Sequence, residues 1–115
     1  MKKNLNIAVI GLGYVGLPLA VEFAKKFKVI GFDSDDDRIS QIEKGIDKTN
    51  ELSKNNLLKS KILYTSDISL IKDCNVYIVT VPTPVDKNKK PDMQKIKNAC
   101  ETIGRNLKKN DIVIF

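Results

Sequence analysis

The sequence predicts an α/β fold built on a doubly wound parallel sheet. Three observations carry that expectation. Short apolar, β-branched runs alternate with amphipathic helical stretches along the chain. The first run leads through Gly11-Leu12-Gly13-Tyr14-Val15-Gly16, a G-x-G-x-x-G, into the first helical stretch. The second run ends on an acidic residue, Asp33, about 20 residues further on.

Each element has its own reason. Leu5 to Ile10 is a short continuous apolar run, as expected of a strand buried on both faces. Gly11 to Gly13 is a turn. Tyr14 to Lys26 is helical: Gly16, Ala20 and Ala24 form a strip of small side chains, beside Leu19, Phe23 and Phe27. Pro18 falls in or just after the first turn, where N–H groups lack intrahelical partners. Lys28 to Phe32 is the second strand. Asp35 to Lys44 is a helix with acidic residues in its first turn and Gly45 after it. Asn50 to Lys59 is a short polar helix, and Ile62 to Thr65 the third strand. Asp67 caps a brief helix to Lys72. Val76 to Val81 is the fourth strand, and a polar loop with three prolines runs from Pro82 to Pro91. Asp92 caps a helix to Leu107 with Met93, Ile96, Cys100, Ile103 and Leu107 as its buried stripe. Asp111 to Phe115 begins a fifth strand. Right-handed crossovers then set the strand order 3-2-1-4-5, with the ligand crevice between strands 1 and 4. No sixth strand follows, so residues 1–115 read as an incomplete domain of a longer protein.

Composition narrows the function. Of 115 residues, 42% are hydrophobic and 30% charged, which suits one soluble domain. No stretch of about 20 apolar residues is present to span a membrane. The formal charge of +6 comes from lysines scattered from Lys2 to Lys109, with only Arg38 and Arg105 as arginines. That scatter argues against a nucleic-acid face. The chain has no His, and its two cysteines, Cys74 and Cys100, form no metal cluster or disulfide framework. A reducing, cytoplasmic setting is expected. Lys2-Lys3 followed by apolar residues outlines a secretory signal, but Gly11, Gly13, Gly16 and Pro18 interrupt it at a spacing that export does not need.

The glycine turn, in its context, fits a dinucleotide. Gly11 permits the tight turn, Gly13 lets a pyrophosphate approach the backbone, and Gly16 lets the helix sit close to the sheet. The N–H groups of Tyr14, Val15 and Gly16, with the helix dipole, suit the phosphates. Asp33 suits the adenosine ribose hydroxyls and would repel a 2′-phosphate, so NAD is expected over NADP. Asp35, Asp36 and Asp37 read mainly as a solvated helix start. Arg38 either meets the adenosine or pairs with those aspartates. Val81, Pro82 and Thr83, just after strand four, lie beside the crevice, with Thr83 offering a hydroxyl and an N–H. Cys74 and Cys100 read as packing residues. The Asp86 to Lys90 run reads as solvated loop.

Three runs together resemble the UDP-glucose/GDP-mannose dehydrogenase family: Ile7 to Ala20, Gly31-Phe32-Asp33 and Val79 to Pro84. The Val81-Pro82-Thr83-Pro84 loop followed by Pro91-Asp92 is most similar to the UDP-N-acetylhexosamine 6-dehydrogenase branch. The resemblance implies a Rossmann-type NAD-binding part and site residues Tyr14, Val15, Asp33, Arg38 and Thr83. It also implies a homo-oligomeric enzyme that oxidises a UDP-sugar to the uronate with two NAD, for capsule or O-antigen synthesis. The family's catalytic Lys, Asn and nucleophilic Cys match no position in these 115 residues, so the chain alone is expected to be inactive. Another G-x-G-x-x-G dehydrogenase and a stand-alone dinucleotide-binding module are the competing readings.

Overall fold

The computed structural model describes residues 4–48, 52–82, 87–90 and 93–115. The chain order is β1 (Asn6–Ile10), α1 (Gly16–Phe23), β2 (Lys28–Phe32), α2 (Asp36–Glu43), α3 (Lys54–Lys59), β3 (Ile62–Thr65), a 3₁₀ turn (Ile68–Ile71), β4 (Val76–Val79), α4 (Gln94–Gly104) and β5 (Ile112–Ile114). All strand pairs are parallel, in the order β3-β2-β1-β4-β5. Residues 76–79 of β4 pair with Ile7 to Ile10 of β1, which puts the chain reversal between those two strands. In an open sheet of this kind the crevice forms beyond the carboxyl ends of such strands.

β1 is buried along almost its whole length because both faces of the sheet are covered. Its odd residues Ile7 and Val9 pack with Leu17 and Ala20 of α1 and with Ile39 and Ile42 of α2. Its even residues Ala8 and Ile10 pack with Tyr77, Ile71, Ala99 and Ile103 on the opposite face. A strand with two cores loses the usual apolar–polar alternation, which is why Leu5 to Ile10 reads as one apolar run.

Side chains fix the helix starts. Asp35 caps α2, its carboxylate accepting from the N–H groups of Asp37 (3.0 Å) and Arg38 (3.3 Å). Gly45 follows the helix at φ +82°, a left-handed conformation that closes it. Ser53 caps α3 and Asp67 caps the 3₁₀ turn. The expected Asp92 cap lies outside the described residues.

Several expectations need correction. α1 is regular only over Gly16–Phe23, although Phe27 N–H still donates to the Phe23 carbonyl at 2.9 Å. β4 ends at Val79 rather than Val81, and α4 ends at Gly104 rather than Leu107. The buried side of α4 is Ala99 and Ile103, while Met93, Cys100 and Leu107 are exposed. The stripe is turned by one residue. Ala99 and Cys100 both fall at helical spacing from Ile96 and Ile103, and the small alanine is the one set against the Tyr77 and Val79 face.

Candidate functional site

The site grows from the end of β1. Gly11 stands at φ +99°, and its N–H donates to the Phe32 carbonyl at 2.8 Å, tying the turn to β2. Thr80 ties it to β4: its N–H donates to the Ile10 carbonyl at 2.8 Å, and its hydroxyl lies 2.6 Å from the Gly11 carbonyl. Gly16 packs directly against this knot. A Cβ there would overlap the Gly11 carbonyl oxygen and the Thr80 hydroxyl. The third glycine therefore serves the turn and the end of β4, more than the general approach of helix to sheet. Thr80 was not among the expected site residues. Its signal was a hydroxyl closing an otherwise apolar run.

Gly13 is the opposite case. A Cβ there would meet nothing within 4 Å, so the space above its backbone is open. The N–H groups of Tyr14, Val15 and Gly16 take no backbone acceptor among the described residues, as expected of the first positions of a helix. Val15 provides no side-chain cap to α1. Tyr14 and Val15 are 67% and 50% exposed. The start of α1 thus presents unpaired donors over an open surface, the arrangement that accepts an anion.

Asp33 stands at the end of β2, half-buried. Its Oδ2 accepts from Leu12 N–H at 2.9 Å, and its Oδ1 from Asp35 N–H at 3.0 Å. An ionised carboxylate has about four acceptor positions, so each oxygen retains capacity for a hydroxyl donor. Asp35 is engaged as the α2 cap, and Asp36 bonds the Ser66 hydroxyl, which bears out the reading of these residues as a helix start. Arg38 does not pair with them. Its Nε donates to the Leu12 carbonyl at 2.8 Å and its Nη2 to Asp47 Oδ1 at 3.1 Å. Asp47 is a buried acid that the sequence reading missed, because nothing in its loop marks it as a partner for a residue one helix earlier.

These groups surround a cleft of ≈ 370 Å³ beyond the ends of β1 and β4. Asp33, Arg38, Val81 and Pro82 line it, together with the Gly11 to Gly13 turn. α4 adds Lys95, Asn98 and Thr102 to its wall, a polar helix face not anticipated from sequence. On the other side of the turn, Tyr14, Val15, Thr80 and Phe115 border a second, broader concavity. Thr83 lies outside the described residues.

The cysteines are remote in character from this chemistry. Cys74 is buried, and burial pushes its thiol up to about 11, against an opposing pull from Lys108. Cys100 is exposed on α4 and is not the packing residue it was expected to be. Among the described residues no cluster of acids and cysteines could hold a metal ion, and no helix is long and apolar enough to cross a membrane.

A parallel sheet in the order 3-2-1-4-5, with a glycine turn facing an acid at the end of β2, defines a Rossmann-type dinucleotide-binding domain. The chain belongs to the UDP-glucose/GDP-mannose dehydrogenase family, whose NAD-binding domain matches residues 5–115. It is 51% identical over 114 residues to the UDP-N-acetyl-D-glucosamine 6-dehydrogenase of Pseudomonas aeruginosa, covering 98% of this chain and 27% of that protein. It is 46% identical over 112 residues to Protein CapL of Staphylococcus aureus, covering 97% of this chain and 26% of that protein. Among solved structures, the UDP-D-ManNAc dehydrogenase from Pyrococcus horikoshii matches with a TM-score of 0.85 at 31% identity, over 95% of this chain and 27% of that one. A ternary complex of GDP-mannose dehydrogenase from Pseudomonas aeruginosa matches with a TM-score of 0.82 at 25% identity, over 96% of this chain and 28% of that one. The chain thus spans about a quarter of the length of the curated relatives it matches.

Proposed function

We propose that these 115 residues bind NAD as the cofactor part of a nucleotide-sugar 6-dehydrogenase. The observation that carries this reading is the pairing of the open backbone at Gly13 with the Leu12–Asp33 hydrogen bond. One leaves room for a pyrophosphate beside unpaired N–H groups. The other fixes a carboxylate where ribose hydroxyls would arrive. Gly11 and Gly16 shape the turn. Gly13, Tyr14, Val15 and Gly16 hold the phosphates. Asp33 takes the adenosine ribose, Arg38 borders it, and Val81, Pro82 and Thr83 line the crevice beyond β4. When bound, NAD supplies the hydride acceptor. The residues of this chain bind and orient it.

The substrate of the whole enzyme is a UDP-sugar, a UDP-N-acetylhexosamine or UDP-glucose, oxidised to the uronate with two NAD for polysaccharide synthesis. Identity to a UDP-N-acetyl-D-glucosamine 6-dehydrogenase and to CapL supports that assignment. The whole enzyme is a cytoplasmic homo-oligomer, and residues 1–115 are its cofactor-binding part. The chain alone is inactive: it has no His, and with one buried thiol of raised pKa and one exposed cysteine on α4 the described residues offer no assembled acid–base or nucleophilic centre. Two measurements test the proposal. Calorimetric titration should show NAD binding, and incubation with NAD and UDP-N-acetylglucosamine should produce no NADH. NADH production that is lost in Cys100→Ser would overturn the assignment of catalysis elsewhere.

A further inference from the structure

Arg38 and Asp47 form the least exposed ion pair among the described residues, with side chains 11% and 0% exposed. Asp47 lies just past the Gly45 turn that ends α2. Its Oδ2 accepts from Leu52 N–H at 3.0 Å while its Oδ1 takes the Arg38 guanidinium. Arg38 Nε in turn donates to the carbonyl of Leu12, the residue whose N–H binds Asp33. A continuous line of hydrogen bonds therefore runs from Leu52 through Asp47, Arg38 and Leu12 to the carboxylate at the ribose end of the cleft.

An arginine beside that carboxylate is the usual means by which a dinucleotide site accepts a 2′-phosphate. It does so with a free, forked guanidinium. Here the cation is in place, but two of its five N–H donors are already taken, Nη2 by the Asp47 carboxylate and Nε by the Leu12 carbonyl, and the side chain is only 11% exposed. Asp33, Arg38 and Asp47 together carry one net negative charge. A 2′-phosphate, itself about −1.5 to −2 near neutral pH, would meet repulsion where an unpaired arginine would have attracted it. We propose that Asp47 is a specificity-determining positioning residue: by holding Arg38 against the Leu12 carbonyl it withdraws the cation from the 2′ position and enforces NAD over NADP. This rests on the proposed NAD reading. Lys95, on the α4 wall of the same cleft, is left untouched by the variants below, so its charge is constant throughout.

The test uses the 115-residue chain and titrates NAD and NADP by calorimetry, with thermal melts alongside. Asp47→Asn keeps an acceptor for Leu52 N–H and removes the charge. It should narrow the preference for NAD by about tenfold or more, the scale of one charge-assisted hydrogen bond. Arg38→Gln combined with Asp47→Asn should abolish that gain. A folded Asp47→Asn variant that binds NAD with the parental NAD-to-NADP ratio would overturn the proposal, as would a gain that persists without Arg38. Failure of the unmodified chain to bind NAD would overturn the NAD reading, and this inference with it. A second measurement needs no variant. The NMR signal of Arg38 Nε–H should shift on titration with 5′-ADP and shift less at the same concentration of 2′,5′-ADP, which the site disfavours. An extra shift caused by the 2′-phosphate would show a cation free to receive it and would overturn the proposal.

Discussion

Asp33 Oδ2 accepts a hydrogen bond from the backbone N–H of Leu12 at 2.9 Å, joining the end of β2 to the middle of the glycine turn. The two residues are 21 positions apart, and the contact makes the acid proposed to take the ribose part of the turn proposed to take the phosphates. Replacing Asp33 therefore has two separable effects. Asp33→Ala should weaken NAD binding by about 1.5–3 kcal/mol and also lower stability, because Leu12 N–H loses its acceptor. Asp33→Asn retains one acceptor, for Leu12 N–H or for Asp35 N–H but not both, and should recover part of the stability but not the affinity. Calorimetry and thermal melts on both variants check this. Equal losses of stability in the two would show that the Leu12 contact contributes nothing.

Gly13 and Gly16 should behave differently although both belong to one motif. Gly13→Val adds a side chain to open space, so circular dichroism and melting temperature should stay near the parent while NAD binding is lost. Gly16→Ala drives a Cβ into the Gly11 carbonyl and the Thr80 hydroxyl. It should cost about 1–3 kcal/mol of stability, as overpacking does, before any ligand is added. Parental NAD affinity in Gly13→Val would refute the phosphate assignment. A parental melting temperature in Gly16→Ala would refute the packing account.

The contrast between those glycines shows how far the sequence carried. The boundaries of β2 and β3 and the Asp67 cap were legible because each depends on residues a few positions apart, and the strand order followed from the alternation of strands and helices with right-handed crossovers; Asp35, expected inside the first turn of α2, is instead its cap. The partners of Gly16 and Arg38 were not, because Thr80 and Asp47 arrive from other elements. The same limit explains α4. Helical spacing allowed either Ala99 or Cys100 to face inward, and only the surface of Tyr77 and Val79 decides between them.

The two cysteines should therefore separate cleanly in thiol chemistry. Cys100 should react with an aromatic disulfide reagent in the native chain, and Cys74 only on unfolding. Cys100→Ser should change stability by no more than about 0.5 kcal/mol. Cys74→Ser puts a hydroxyl into a buried apolar site and should cost about 1–3 kcal/mol. Two thiols reacting at equal rates before unfolding would contradict the burial of Cys74.

Alkaline pH should destabilise the fold. Burial raises Cys74 to about 11 and Tyr64 and Tyr77 to about 12, from ordinary values near 9 and 10. Each group is neutral when folded and ionises more readily when unfolded, so the unfolded chain binds fewer protons as the pH climbs. The stability these groups contribute is complete below about pH 9 and is lost as pH rises toward 11 to 12. Urea melts at intervals from pH 8 to pH 11.5 should show a falling midpoint above about pH 9, with a shallower fall in Tyr64→Phe. Tyr64 is the informative choice because its buried hydroxyl has no hydrogen-bond partner among the described residues, so the substitution removes little else.

A dinucleotide site tuned to NAD should tell the two cofactors apart without any substitution. The unmodified 115-residue chain is titrated with NAD and with NADP under identical buffer and salt. NAD should bind saturably and NADP at least about tenfold more weakly, because an ionised Asp33 would repel a 2′-phosphate and Arg38 is held by Asp47. NADP binding as tight as NAD would contradict the tuning. Absence of binding by either would contradict the site itself.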